Sequence, residues 1–147
     1  MTAKEYLNRI RFISAGLRVK EQELQQLESD LCAIKSVDTS RDRIDGGVPV
    51  SMADKVARIR DMQIAINTEW DQLLDLRKEA RERIMQMEDG RFRAVLTERY
   101  LNNKRWEQIA VDMNYTYRSV IRIHGEALKQ FAVQFKDVLE CPYLDMI

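Results

Sequence analysis

The stretch that decides the fold is Trp106-Glu107-Gln108-Ile109-Ala110-Val111-Asp112-Met113-Asn114-Tyr115-Thr116-Tyr117-Arg118-Ser119-Val120-Ile121-Arg122-Ile123-His124-Gly125-Glu126-Ala127-Leu128-Lys129-Gln130-Phe131. Two helical patterns meet in it. A short helix over 106–113 places Ile109 and the small Ala110 on one face, and Met113 fills the space before the connection. Asn114 suits a left-handed backbone, which few residues with a side chain tolerate. Thr116 is an N-cap for a second, longer helix. Val120, Ile123, Ala127, Leu128 and Phe131 form the inner face of that helix. Its first turns leave Tyr117, Arg118, Ser119, Ile121 and Arg122 outward, the positions from which a helix-turn-helix reads base edges in a major groove.

Immediately before this run, Arg91–Asn103 reads as a further helix, with Phe92, Val95, Leu96, Arg99 and Tyr100 at i, i+3, i+4 spacing. Before residue 90 the pattern changes to heptads. Ile10, Leu17, Leu24 and Leu31 recur every seven residues, with Ile13, Lys20, Leu27 and Ile34 three places on. Thr2-Ala3-Lys4-Glu5 has the form of a capping box. A second segment carries Val56, Gln63, Trp70, Arg77 and Ile84 in one row and Ile59, Ile66, Leu73, Ala80 and Met87 in the other. Such rows predict two long helices, about 2–36 and 52–89, joined by a loop over 37–51 and folded back as an antiparallel coiled-coil hairpin. Gly90 suits the C-terminal end of the second helix. Phe12, Val19, Met62, Leu74 and Leu76 lie outside the seam, and this wider apolar stripe would be covered by a second copy, the homodimer expected here, or by the chain's own C-terminal domain. The expected organisation is therefore all-α: a hairpin over 1–90, a helix-turn-helix domain over 91–136, and an apolar, acidic tail over 137–147.

Charge sharpens the functional reading. The chain of 147 residues has 24 basic and 24 acidic side chains and no formal net charge. The balance conceals an asymmetry: residues 91–136 hold nine bases and four acids, while 1–90 hold 15 and 17. A polyanion would be drawn to the basic part. Lys104, Arg105, Thr116, His124 and Lys129 are the candidate phosphate contacts there, which set orientation and affinity rather than sequence choice, and His124 is alternatively a neutral packing residue. The single histidine and two distant cysteines, Cys32 and Cys141, give no metal cluster. With no nucleophile–base pair and no phosphate loop, a non-enzyme without a cofactor is expected. The N-terminus lacks the apolar core of a secretory signal, and no apolar run approaches the length of a membrane span. A cytoplasmic protein that does not enter membranes is the expectation.

The run Arg105–Phe131 resembles the fourth conserved region of bacterial sigma factors, through its "W-E-Q-I-A" opening, "M-N-Y-T" turn, "V-I-R-I" recognition helix and "E-A-L" continuation. Together with the opening "M-T-A-K-E-Y-L", it is also similar to small sigma-like prophage proteins of Gram-positive bacteria, grouped loosely with ArpU- and RinA-type late-gene regulators. That resemblance implies a sequence-specific DNA-binding transcription regulator, an activator of phage late genes, with double-stranded DNA and host RNA polymerase as partners. It places base reading on Tyr117, Arg118 and Arg122. Sigma factors usually carry Arg, Glu and Arg where this chain has Tyr117, Arg118 and Ile121, which implies a target other than a housekeeping promoter. Two other readings remain open from the residues: a small-terminase-like packaging protein that forms rings, and a coiled-coil adaptor that binds polymerase without touching DNA.

Overall fold

The computed structural model describes residues 1–36 and 52–141, and among them there is no strand. The elements are α1 (Ala3–Ser36), α2 (Met52–Met85), α3 (Gly90–Leu96), a π-helical turn (Thr97–Leu101), α4 (Trp106–Met113), α5 (Tyr117–Gln134) and α6 (Lys136–Leu139). The all-α expectation holds. The expected loop over 37–51, the cap at Ser51 and the tail beyond Cys141 lie outside the described residues. None of the described helices is long and apolar enough to cross a membrane.

The chain forms two compact units, residues 1–14 with 73–147 and residues 15–72. The sequence reading puts its boundary at 90; here the first fourteen residues and the end of α2 group with the last third. In the smaller unit, three polar links join α1 to α2: Lys20 to Glu69 at 2.5 Å, Glu21 to Trp70 Nε1 at 2.6 Å and Glu28 to Gln63 Nε2 at 2.6 Å. Residues 20 and 21 of α1 thus meet 69 and 70 of α2, and residue 28 meets 63. Leu17 and Ile66 are buried, whereas Leu27 and Val56, both expected in the seam, are exposed.

The larger unit begins with the expected capping box. Thr2 N donates to Glu5 Oε2 at 2.7 Å, and Glu5 N donates to Thr2 Oγ1 at 3.2 Å. These bonds hold the Glu5 carboxyl below its ordinary pKa. Ala3, Tyr6, Leu7, Ile10 and Ser14 of α1 are buried, as are Leu73, Ala80, Ile84 and Met87. The Tyr6 ring stacks with Phe131 at 6.0 Å between centroids, and Phe131 packs on Phe135 at 4.7 Å. Arg83 lies over the Tyr6 ring and donates to its hydroxyl.

Two expectations need correction. Gly90 does not close α2, which ends at Met85; it opens α3, whose N-cap is Asp89, with the Asp89 carboxylate accepting from Arg91 N at 2.8 Å. The single helix over 91–103 is not continuous either. A π-helical turn interrupts it, with Asn102 N donating to Thr97 O five residues back at 3.0 Å. The extra residue in that turn brings Tyr100 and Leu101 inward together, alongside Val95 and Leu96.

Gly125 stands in the interior of α5, where glycine costs helix stability unless a close neighbour requires it. A Cβ there would meet nothing within 4 Å. Among the described residues nothing gives the glycine a packing reason to offset its helix cost, so Gly125→Ala should stabilise the protein by about 1 kcal/mol in urea denaturation. A destabilised variant would show that this position needs its freedom.

Candidate nucleic-acid interface

The site is built on α4, the connection and α5. Ile109, Ala110 and Val120 form a buried cluster, with Trp106 and Met113 packed against it. Asn114 adopts φ 56°, ψ 39°, the left-handed conformation the connection requires. Tyr115 N donates to Ala110 O at 3.0 Å and so closes the end of α4. Thr116 starts α5: its Oγ1 accepts from Ser119 N at 3.2 Å and donates to Ser119 Oγ at 2.8 Å. Such a cap contributes about 1 kcal/mol. Val120, Ile123, His124, Ala127 and Phe131 then bury one face of α5 along its length.

The opposite face carries the expected base-reading residues. Tyr117, Arg118, Ile121 and Arg122 are all exposed, and neither arginine makes an ion pair or hydrogen bond among the described residues. At helical spacing, Arg118, Arg122 and Lys129 continue one stripe past Gly125. Ser119 is half-buried, and its hydroxyl is occupied by the cap.

The candidate phosphate contacts divide into two groups. Arg105 and Lys129 are exposed and have no ion pair or side-chain hydrogen bond among the described residues. Lys104 is already neutralised, paired with Glu98 and with Asp112 at 2.9 Å, and both carboxylates raise its pKa. The Thr116 hydroxyl is spent on the cap. His124 as a phosphate contact is overturned: the side chain is 9% exposed, and its Nε2 lies 2.8 Å from the Tyr100 hydroxyl. The edge of Trp106 meets its ring at 4.6 Å. Burial first, then the charges of Arg99 and Lys4, lower its pKa to about 4, so the imidazole is neutral near pH 7.

Other bases of the last third serve the fold, which their sequence positions do not reveal. Arg91 pairs with Asp89 at 2.9 Å. Arg93 donates to Met87 O at 2.7 Å and to Glu88 O at 3.3 Å. Arg99 donates to Lys104 O at 3.0 Å and lies over the Trp106 ring at 4.2 Å. Among the described residues, no group of three or more His, Cys, Asp or Glu could hold a metal ion. Compared with known proteins, the chain matches no family model, no curated protein and no solved structure.

The buried histidine sets a pH dependence. Its pKa is depressed in the folded chain, so the unfolded state binds the proton first as the pH falls. Stability is therefore lost from about pH 6.5 downward until the folded state also protonates near pH 4, by on the order of 3 kcal/mol at most. His124→Gln keeps an acceptor for Tyr100 without the titration. In urea denaturation at stepped pH, this variant should lose less stability than the wild type over that window. Parallel curves would mean that His124 is not held neutral.

Proposed function

We propose that this protein is a sequence-specific DNA-binding transcription regulator whose helix-turn-helix, α4 to α5, presents the start of α5 to a major groove. The observation that carries this reading is the outward face of α5. Tyr117, Arg118, Ile121 and Arg122 stand exposed on a helix whose other face is locked into the core, and the two guanidiniums are uncommitted. Arginine offers two parallel donors that match the O6 and N7 acceptors of guanine, and Ile121 can meet a thymine methyl. Arg105 and Lys129, exposed and without an ion pair among the described residues, are the phosphate contacts in this reading. The similarity to sigma-like prophage regulators supports the same reading, as an activator of phage late genes that works with host RNA polymerase.

The α1–α2 pair acts in this reading as a coiled-coil hairpin that dimerises the chain. Val19, Leu27, Val56 and Ile64 of the smaller unit are 43–59% exposed, an apolar surface that a second copy would cover. Light scattering at micromolar concentration should give twice the chain mass. A monomer would remove the dimer and leave the DNA reading intact, while a large ring would favour a packaging protein.

The decisive experiment is a titration against pooled fragments of the chain's own genomic neighbourhood at two salt concentrations. One fragment should be retained, with affinity falling steeply as salt rises. On that fragment, Arg122→Ala should lose about 1–3 kcal/mol of discrimination against unrelated duplex. No retention at low salt would overturn DNA binding, and polymerase capture would then select the adaptor. Unchanged discrimination in the variant would overturn the assignment of Arg122.

A further inference from the structure

The smaller unit is thinly covered over much of its length. From Arg18 to Ala33 of α1 and from Met52 to Ala65 of α2, no residue is buried. Leu24, Leu31, Ile59 and Met62 are only half covered there, and Leu27 is 43% exposed. Helices in proteins draw most of their stability from packing an apolar face, so this length of helix calls for further cover. The same stretches enclose an open groove of about 520 Å³. Its apolar lining among the described residues is Leu27 and Leu31 of α1 with Ile59 and Met62 of α2.

The charged lining divides by helix. Asp30 comes from α1, whereas Lys55 and Arg58 come from α2. These charges do not pair with each other within the chain. Asp30 accepts from Gln26 Nε2 on its own helix at 2.9 Å, and neither Lys55 nor Arg58 has an ion pair or side-chain hydrogen bond among the described residues. The neighbouring acids Glu28, Asp54 and Asp61 do not line the groove. The groove therefore presents an apolar centre between one acidic wall and one basic wall. A partner carrying a single sign of charge would be repelled by one of them. A second copy matches both. A two-fold axis running along the groove lays α1 of each copy over α2 of the other, so that acid faces base twice. An axis across the groove would instead lay each helix on its own counterpart, acid towards acid and base towards base. The first arrangement also closes the apolar lining on itself, as in a four-helix bundle.

We infer that this groove is the interface of the homodimer, in which Asp30 of each copy pairs with Lys55 and Arg58 of the other and fixes a parallel, two-fold arrangement. The inference rests on the dimer in the reading above. It adds to that reading the face, the symmetry and the residues that select the partner.

The test measures mass by sedimentation over a micromolar concentration range, on the full chain as wild type, as Asp30→Arg and as the double variant Lys55→Glu with Arg58→Glu. The wild type should be a dimer. Each variant alone sets like charges against each other at both contacts, and its dimer dissociation constant should rise by about tenfold or more. Mixed in equal amounts, the two variants regain opposite charges at both contacts, and the dimer should return with close to wild-type affinity. Mixing separates a lost pairing from a damaged fold, because two misfolded chains would not recover the dimer together. If the wild type is a dimer and both variants dimerise as tightly, the interface lies elsewhere: the groove is overturned and the dimer stands. Variants that stay monomeric in the mixture overturn the charge pairing. A monomeric wild type removes the dimer and the groove together and leaves the DNA reading untouched.

Discussion

One face of α5 must stay buried along eighteen residues, and most of the larger unit is arranged to meet that demand. Different partners cover different parts of the face. At its start, Val120 completes the cluster with Ile109 and Ala110. At its middle, His124 reaches the Tyr100 hydroxyl and the edge of Trp106. At its end, Phe131 lies between Tyr6 and Phe135. Burying a side chain the size of Phe is worth about 2–3 kcal/mol, so no single contact would suffice to hold the helix. The orientation of the outward residues is a consequence. Arg118 and Arg122 point outward because the opposite face of the helix is occupied by core.

The same arrangement decides what the positive charge of the last third can do. Nine bases against four acids give a strong surplus in sequence. Arg91, Arg93 and Lys104 are committed to Asp89, to the carbonyls of Met87 and Glu88, and to Glu98 with Asp112. Lys136 faces Glu140 at 3.7 Å. Arg93, and Arg99 at the Lys104 carbonyl, satisfy backbone carbonyls of turns that would otherwise lack partners. The charge left for a partner is concentrated on Arg105, Arg118, Arg122 and Lys129. A count of net charge thus overstates the interface in size and blurs where it lies.

What was legible in the sequence was local. The left-handed Asn114, the Thr116 cap, the Thr2–Glu5 box and the buried row Ile66, Leu73, Ala80 and Met87 each follow from spacing within a turn or a heptad. What was illegible depended on residues distant in the chain. A π-helical turn is one extra residue in a helix, and here it carries Tyr100 and Leu101, both buried against elements distant in the chain. Nothing near His124 in sequence announces Tyr100, twenty-four residues earlier, so its exposure could not be judged from its neighbours. Gly90 departs from glycine's preference for the C-terminal ends of helices because Asp89 supplies the N-cap of α3 and leaves Gly90 its first helical residue.

The placement of the first fourteen residues is instructive for a different reason. The heptad rhythm runs through α1 from Ala3 to Ile34, and by period alone it describes one continuous seam. Burial separates it into two regimes. From Ala3 to Ser14 the buried positions are Ala3, Tyr6, Leu7, Ile10 and Ser14, a stripe that widens beyond the two positions per heptad of a coiled coil. From Ala15 onward, Leu17 is the buried hydrophobic residue of α1, and Leu24 and Leu31 are only partly covered. A narrow stripe suits a single partner helix, while a wide one needs several elements at once. Leu7, which belongs to neither heptad row, is fully buried, as a wide stripe requires. The width of the apolar stripe, rather than its period, is therefore the signal that assigns the start of α1 to the unit carrying α5.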